Sequence, residues 1–125
     1  MNLQDQIRQA IRISERTENA ISAEWTAKAD LAAFQGHFPG NPILPGIAQI
    51  TLVQEILRLA LEKELELMEI RRVKFFHPVS PDMALHIQIS LLPQGDQLLN
   101  TDAAVTSGAD GKRIAALKLQ FREIV

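Results

Sequence analysis

A lone histidine, His37, stands in the segment Gly36-His37-Phe38-Pro39-Gly40-Asn41-Pro42-Ile43-Leu44-Pro45-Gly46. Imidazole takes up and returns protons near neutral pH, so His37 is a candidate acid/base group. Three prolines fix φ and three glycines open backbone conformations closed to other residues, so the segment reads as a shaped loop around the histidine. Directly after Pro45-Gly46 an apolar run from Ile47 to Leu61 has the length and composition of a buried helix. Such a join aims the unpaired N–H groups and positive dipole end of a helix at whatever lies beside His37. The bland alternative is a loop histidine that braces its turn through backbone hydrogen bonds.

The other histidines read differently. His77 precedes Pro78 and is expected in a structural or rim position, and His86 falls on the polar side of an alternating strand, where it is solvated. No pair of histidines has the ligand spacing of a zinc motif, and no metal site is expected. Arg71, Arg72 and Lys74 form the densest basic cluster, which is short; a solvated strand face is its default reading, and attraction of an acidic partner its functional one.

These groups must be held by a small scaffold. The chain's 125 residues fit one domain, taken as 1–125, with a core of ordinary size. A formal net charge of -2 excludes recruitment of nucleic acid or anionic membrane by bulk charge. The chain has no cysteine, hence no disulfide framework, which fits a reducing cytoplasm. The first residues lack the basic start and apolar core of a signal peptide, no apolar run is long enough to span a membrane, and a cytoplasmic location is expected.

Periodicity supplies the elements. Arg8 to Arg16 reads as a first strand, and Ile21, Ala23, Trp25 and Ala27 alternate with Ser22, Glu24, Thr26 and Lys28 as a second, completing a hairpin. Trp25 falls on the apolar face and is expected in the core or a dimer contact. After Gly46, apolar residues recur at helical spacing and widen nearly all round, so the helix must be wrapped. Strands are predicted over Leu67 to Phe76, over Met83 to Leu91, to about Thr106, and over Lys112 to Val125, with turns at Pro93-Gln94-Gly95-Asp96 and Ser107-Gly108-Ala109-Asp110-Gly111. Asp82 is a turn residue. The expected architecture is α+β: two strands, one long helix, then a four-strand meander, giving a curved antiparallel sheet wrapped around the helix. Its open edges predict a homodimer or higher assembly.

The loop and this layout together resemble the hot-dog-fold 3-hydroxyacyl-[acyl carrier protein] dehydratases of fatty acid synthesis. The resemblance rests on His37-Phe38-Pro39-Gly40-x-Pro42-x-x-Pro45-Gly46 before a buried helix, and on Val73-Lys74-Phe75-Phe76-His77-Pro78-Val79-Ser80-Pro81-Asp82 downstream. The short first strand and Gln49 in Pro45-Gly46-Ile47-Ala48-Gln49 are similar to a dehydratase branch found in aryl-polyene biosynthesis clusters. The resemblance implies that His37 is the acid/base group and that the Gly46 N–H polarises a thioester carbonyl. Phe38, Pro45 and Ile47 are then further substrate contacts. It implies an acyl carrier protein or acyl-CoA substrate and no resident cofactor, phosphopantetheine entering only as part of the substrate. The family's carboxylate, contributed across a dimer interface one turn into the helix, is replaced here by Thr51. A threonine hydroxyl can position a water but does not donate a proton as an acid. Glu55, four residues on and about 6 Å along the axis, is a substitute acid if it reaches the site. Three functions follow: a dehydratase of 3-hydroxyacyl thioesters, a hot-dog thioesterase, or a non-catalytic acyl-binding partner subunit.

Overall fold

Residues 2–34, 40 and 42–124 are described by a computed structural model. The chain order is α1 (Leu3–Gln9), β1 (Arg12–Arg16), β2 (Ala20–Ala27), a 3-10 turn (Ala32–Phe34), α2 (Gly46–Leu61), β3 (Leu65–Phe75), β4 (Met83–Gly95), β5 (Leu98–Ser107) and β6 (Arg113–Glu123). The strands form one six-stranded sheet in the order β1-β2-β4-β5-β6-β3, every pair antiparallel.

The two-residue period produces the sheet's inner face. Ile21, Ala23, Trp25 and Ala27 of β2, Leu85, Ile87 and Ile89 of β4, and Leu117, Leu119 and Phe121 of β6 are all buried. Ala48, Leu52, Val53, Ile56 and Leu57 of α2 complete the core, so the helix that is apolar on most sides is enclosed by the curved sheet. α2 ends at Glu62, whose left-handed φ of 53° turns the chain out of the helix and toward β3.

Three expectations are corrected. The first strand, read from Arg8, begins at Arg12, and Arg8 and Gln9 instead end α1, a helix too short and too sparsely apolar to show a period. Asn2 caps it by accepting from the Asp5 N–H at 2.8 Å, and its Ile7 is fully buried, with the Ile7 carbonyl accepting from Trp25 Nε1 at 3.0 Å. Trp25 is therefore a core residue. Second, the four-strand meander is a three-strand meander, β4-β5-β6: β3 lies at the sheet's far edge against β6. Periodicity identifies strands but not which neighbour each pairs with. Third, β4 continues through Pro93 to Gly95, and the turn falls at Asp96 and Gln97, both at positive φ. The Asp82 expectation holds: at φ 66° it donates its N–H to the Ala27 carbonyl, and its carboxylate accepts from the Ala29 N–H.

Candidate active site at the helix start

α2 begins at Gly46 with Pro45 in extended conformation before it, and no side chain caps this end. Its first N–H groups therefore lack intrahelical partners. The approach to the helix is tied down by the Leu44 N–H donating to the Val79 carbonyl at 2.8 Å, which brings the segment after β3 alongside. Between the two lies a cavity of about 420 Å³, bounded by Leu44, Gly46, Gln49, Phe75, Phe76 and His77. Phe75 packs closely on Gly46 at its head: a Cβ on residue 46 would stand 2.7 Å from the Phe75 ring, which would have to shift.

The residues singled out from the sequence separate here. Gly46 and Pro45 border the cavity, and His77 sits at its rim. His37 and Phe38 lie outside the described residues. Ile47 is 61% exposed and lies outside the lining of this cavity. Helical rotation explains this, since each residue turns about 100° and only positions three or four apart share a face. Thr51 is likewise displaced from this wall and donates its hydroxyl to the Ile47 carbonyl at 3.0 Å.

Glu55 is buried away from the cavity, not placed within it. It lies 2.8 Å from Arg58 Nη1 and 3.5 Å from Arg8 Nη1. Its carboxylate therefore joins α1 to α2, and Arg58 extends the network to Glu64. Burial alone would lower the Arg58 pKa, but hydrogen bonds and charges from Glu55 and Glu64 raise it above its usual value. A buried carboxylate needs a partner, and these guanidinium groups supply one.

A second feature adjoins the cavity. Arg72 and Lys74 of β3 meet Arg113 and Lys118 of β6 around Phe76, forming a depression of about 250 Å³. The Arg113 guanidinium lies 4.1 Å from the Phe76 ring centre. Arg72 stands directly opposite Lys118, an unfavourable like-charge cross-strand pair. Arg71, grouped with these residues in the sequence, is not part of the depression; Arg113 and Lys118 join through strand pairing invisible in the linear order. His86, expected to be solvated, is instead half-buried, with Nδ1 3.0 Å from Glu24 Oε1.

The ApeI-like family model, described as ApeI dehydratase, matches residues 13–112, well over half of the chain. The chain belongs to the ApeI-like family. A relative of this ApeI-like chain, the 3-hydroxyacyl-[acyl-carrier-protein] dehydratase FabZ of Lactococcus lactis, is 28% identical over 116 residues, covering 87% of this chain and 76% of the relative. The chain spans less than half the length of several other FabZ relatives it matches. The dehydratase heterocomplex ApeI:P from Xenorhabdus doucetiae superposes with a TM-score of 0.72 at 24% identity, over 90% of this chain and 96% of that one. Thioesterase superfamily member 2 of Mus musculus gives 0.74 at 18% identity, over 97% and 86%. These superpositions establish the hot-dog fold, and the family match places the chain among its dehydratase-type members.

The largest signal passed over in the sequence is Gln49. It is 2% exposed and lines the cavity one turn from Gly46. A carboxamide inside so apolar a helix was the available signal.

Proposed function

We propose that this ApeI-like protein eliminates water from a 3-hydroxyacyl thioester carried on a phosphopantetheine arm. The observation that carries this reading is the uncapped start of α2 opening into an apolar cavity at Gly46, in a chain of a dehydratase family. The thioester carbonyl accepts a hydrogen bond from the Gly46 N–H, where the helix dipole favours developing negative charge. His37 removes a proton from C2; the electrons of that C–H bond form the C2=C3 double bond, and the C3–O bond breaks. The oxygen leaves as water once protonated, and His37, now carrying the C2 proton, can return it.

Thr51 does not replace the missing acid within its own chain, because its hydroxyl donates back into the helix. Its neighbour Ile47 is exposed, so this side of α2 is available to a second subunit. β3 is an outer strand with exposed Met68, Ile70 and Phe75, an edge suited to pairing with another β3. In this reading the working unit is at least a dimer. The depression formed by Arg72, Lys74, Arg113 and Lys118 receives the acidic carrier or the phosphate of its arm, since it shares Phe76 with the cavity.

The thioesterase reading draws on the likeness to thioesterase superfamily member 2 of Mus musculus. It lacks a water-activating group: among the described residues, no carboxylate borders the cavity. Incubation with 3-hydroxyacyl and 2-enoyl carrier-protein thioesters, followed by mass, separates the readings. Loss or gain of water supports dehydration, free acid supports thioester hydrolysis, and binding without conversion supports a partner subunit. His37→Ala is expected to lower turnover by roughly a hundredfold or more. Thr51→Glu is expected to raise it, and an unchanged rate would show that the missing carboxylate does not limit this protein.

A further inference from the structure

α2 carries one buried polar side chain that the described fold does not use. Gln49 is 2% exposed, and its Oε1 has no hydrogen-bond partner among the described residues. Burying an amide oxygen without a partner is unfavourable, and methionine would fill the same space without that loss. The side chain faces the cavity at the start of α2. An unpaired group at a ligand-sized opening is placed to meet a ligand.

Its level in the cavity indicates which part of a ligand. Gly46 and Gln49 are three residues apart on one helix face, so Gln49 lies about 4.5 Å further along the axis. With a thioester carbonyl at the Gly46 N–H, an acyl chain running along this wall brings its C3 substituent to the level of Gln49. Among the described residues, and apart from His77 at the rim, the rest of the wall is glycyl, aliphatic, prolyl and aromatic, including Leu44, Pro45, Phe75 and Phe76. A carboxamide accepts through Oε1 and donates through Nε2, which matches a hydroxyl that does both. We infer that Gln49 is the residue that recognises the C3 oxygen of the acyl chain, hydrogen-bonding the hydroxyl and orienting it for departure. The inference rests on the preceding reading, which places an acyl carbonyl at Gly46 and a hydroxyl on C3.

The test is binding without turnover. Amide analogues of 3-hydroxyhexanoyl- and hexanoyl-pantetheine, with NH in place of sulfur, are titrated calorimetrically into the wild-type protein and Gln49→Met. The wild type is expected to prefer the hydroxylated analogue about tenfold. Gln49→Met should lose that preference, keep its affinity for the hexanoyl analogue, and melt at a higher temperature because an unpaired buried amide is gone. A preference unchanged in Gln49→Met, affinities that fall together, or a lowered melting temperature would each overturn the inference. Equal binding of both analogues by the wild type overturns it too, while leaving dehydration to the turnover assay. If the wild type binds neither, the placement of an acyl carbonyl at Gly46 fails and the inference with it. Should Gln49→Met precipitate, Gln49→Leu is read by the same criteria.

Discussion

Gln49 and Glu55 stand on the same helix, less than two turns apart, and both are all but completely buried. Glu55 has Arg58 against one oxygen and Arg8 against the other. Gln49 has an oxygen with no partner among the described residues and a cavity in front of it. From the sequence Glu55 drew attention because it is acidic, and acidity suits proton transfer. Tertiary packing reverses the emphasis: the carboxylate is a fastener between α1 and α2, and the neutral amide is the group left facing the cavity. A buried polar group whose bonds are complete belongs to the architecture, whereas one left incomplete beside a cavity is an opening for a ligand.

The contrast is most strongly challenged at Glu55. Glu55→Ala leaves Arg58 and Arg8 without their shared partner and is expected to cost about 2–3 kcal/mol in urea unfolding, since both arginines keep some access to solvent. Thioester affinity per folded molecule should be unchanged; a stable variant with impaired binding would undo the architectural assignment.

Gly46→Ala probes the other end of the helix. The added methyl group must displace the Phe75 ring, and about 1 kcal/mol of ligand affinity should be lost, as measured by calorimetry. Adding Phe75→Ala removes the obstruction, so the double variant should bind better than Gly46→Ala alone.

A smaller and salt-sensitive effect is expected beyond the cavity. Lys74→Glu should raise KM several-fold for a carrier-protein substrate at low ionic strength, and hardly at all for the same acyl group on pantetheine. Equal effects on both substrates would place Lys74 outside carrier recognition.

The smallest effect concerns Glu24, a half-exposed carboxylate whose partners are His86 and Arg12. Burial pushes its pKa up, but hydrogen bonds from His86 and Ser14 and the charges of His86 and Arg12 outweigh this and hold it below the ordinary 4.5. Its contribution to stability is therefore present above pH 4.5 and lost as pH falls through the lowered folded value. Acid unfolding of Glu24→Gln should show a slightly shallower dependence on pH in that window. An unchanged curve would show that an exposed pair, unlike the buried one at Glu55, adds nothing measurable.

Much of this protein was legible in its residues. Alternation in Ala20–Ala27 and Met83–Leu91 identified the buried face of each strand, because every second side chain must leave water. The helical spacing after Gly46 identified a helix that had to be enclosed, and the Pro45-Gly46 join identified where it starts. Those are local facts, set by steric limits on the backbone and by the cost of exposing apolar surface. Long-range pairing decided the rest. It carried β3 to the far edge, so that Arg72 and Lys74 met Arg113 and Lys118 across strands 40 or so residues apart in sequence. It brought Phe75 against Gly46, drew Arg8 from an unforeseen helix onto Glu55, and left the Gln49 Oε1 at the cavity wall with no partner among the described residues. The sequence by itself determined which residues must be buried and where the helix must start. Only the tertiary structure decided which buried polar group was satisfied, because that depends on what the rest of the chain brings within hydrogen-bonding distance.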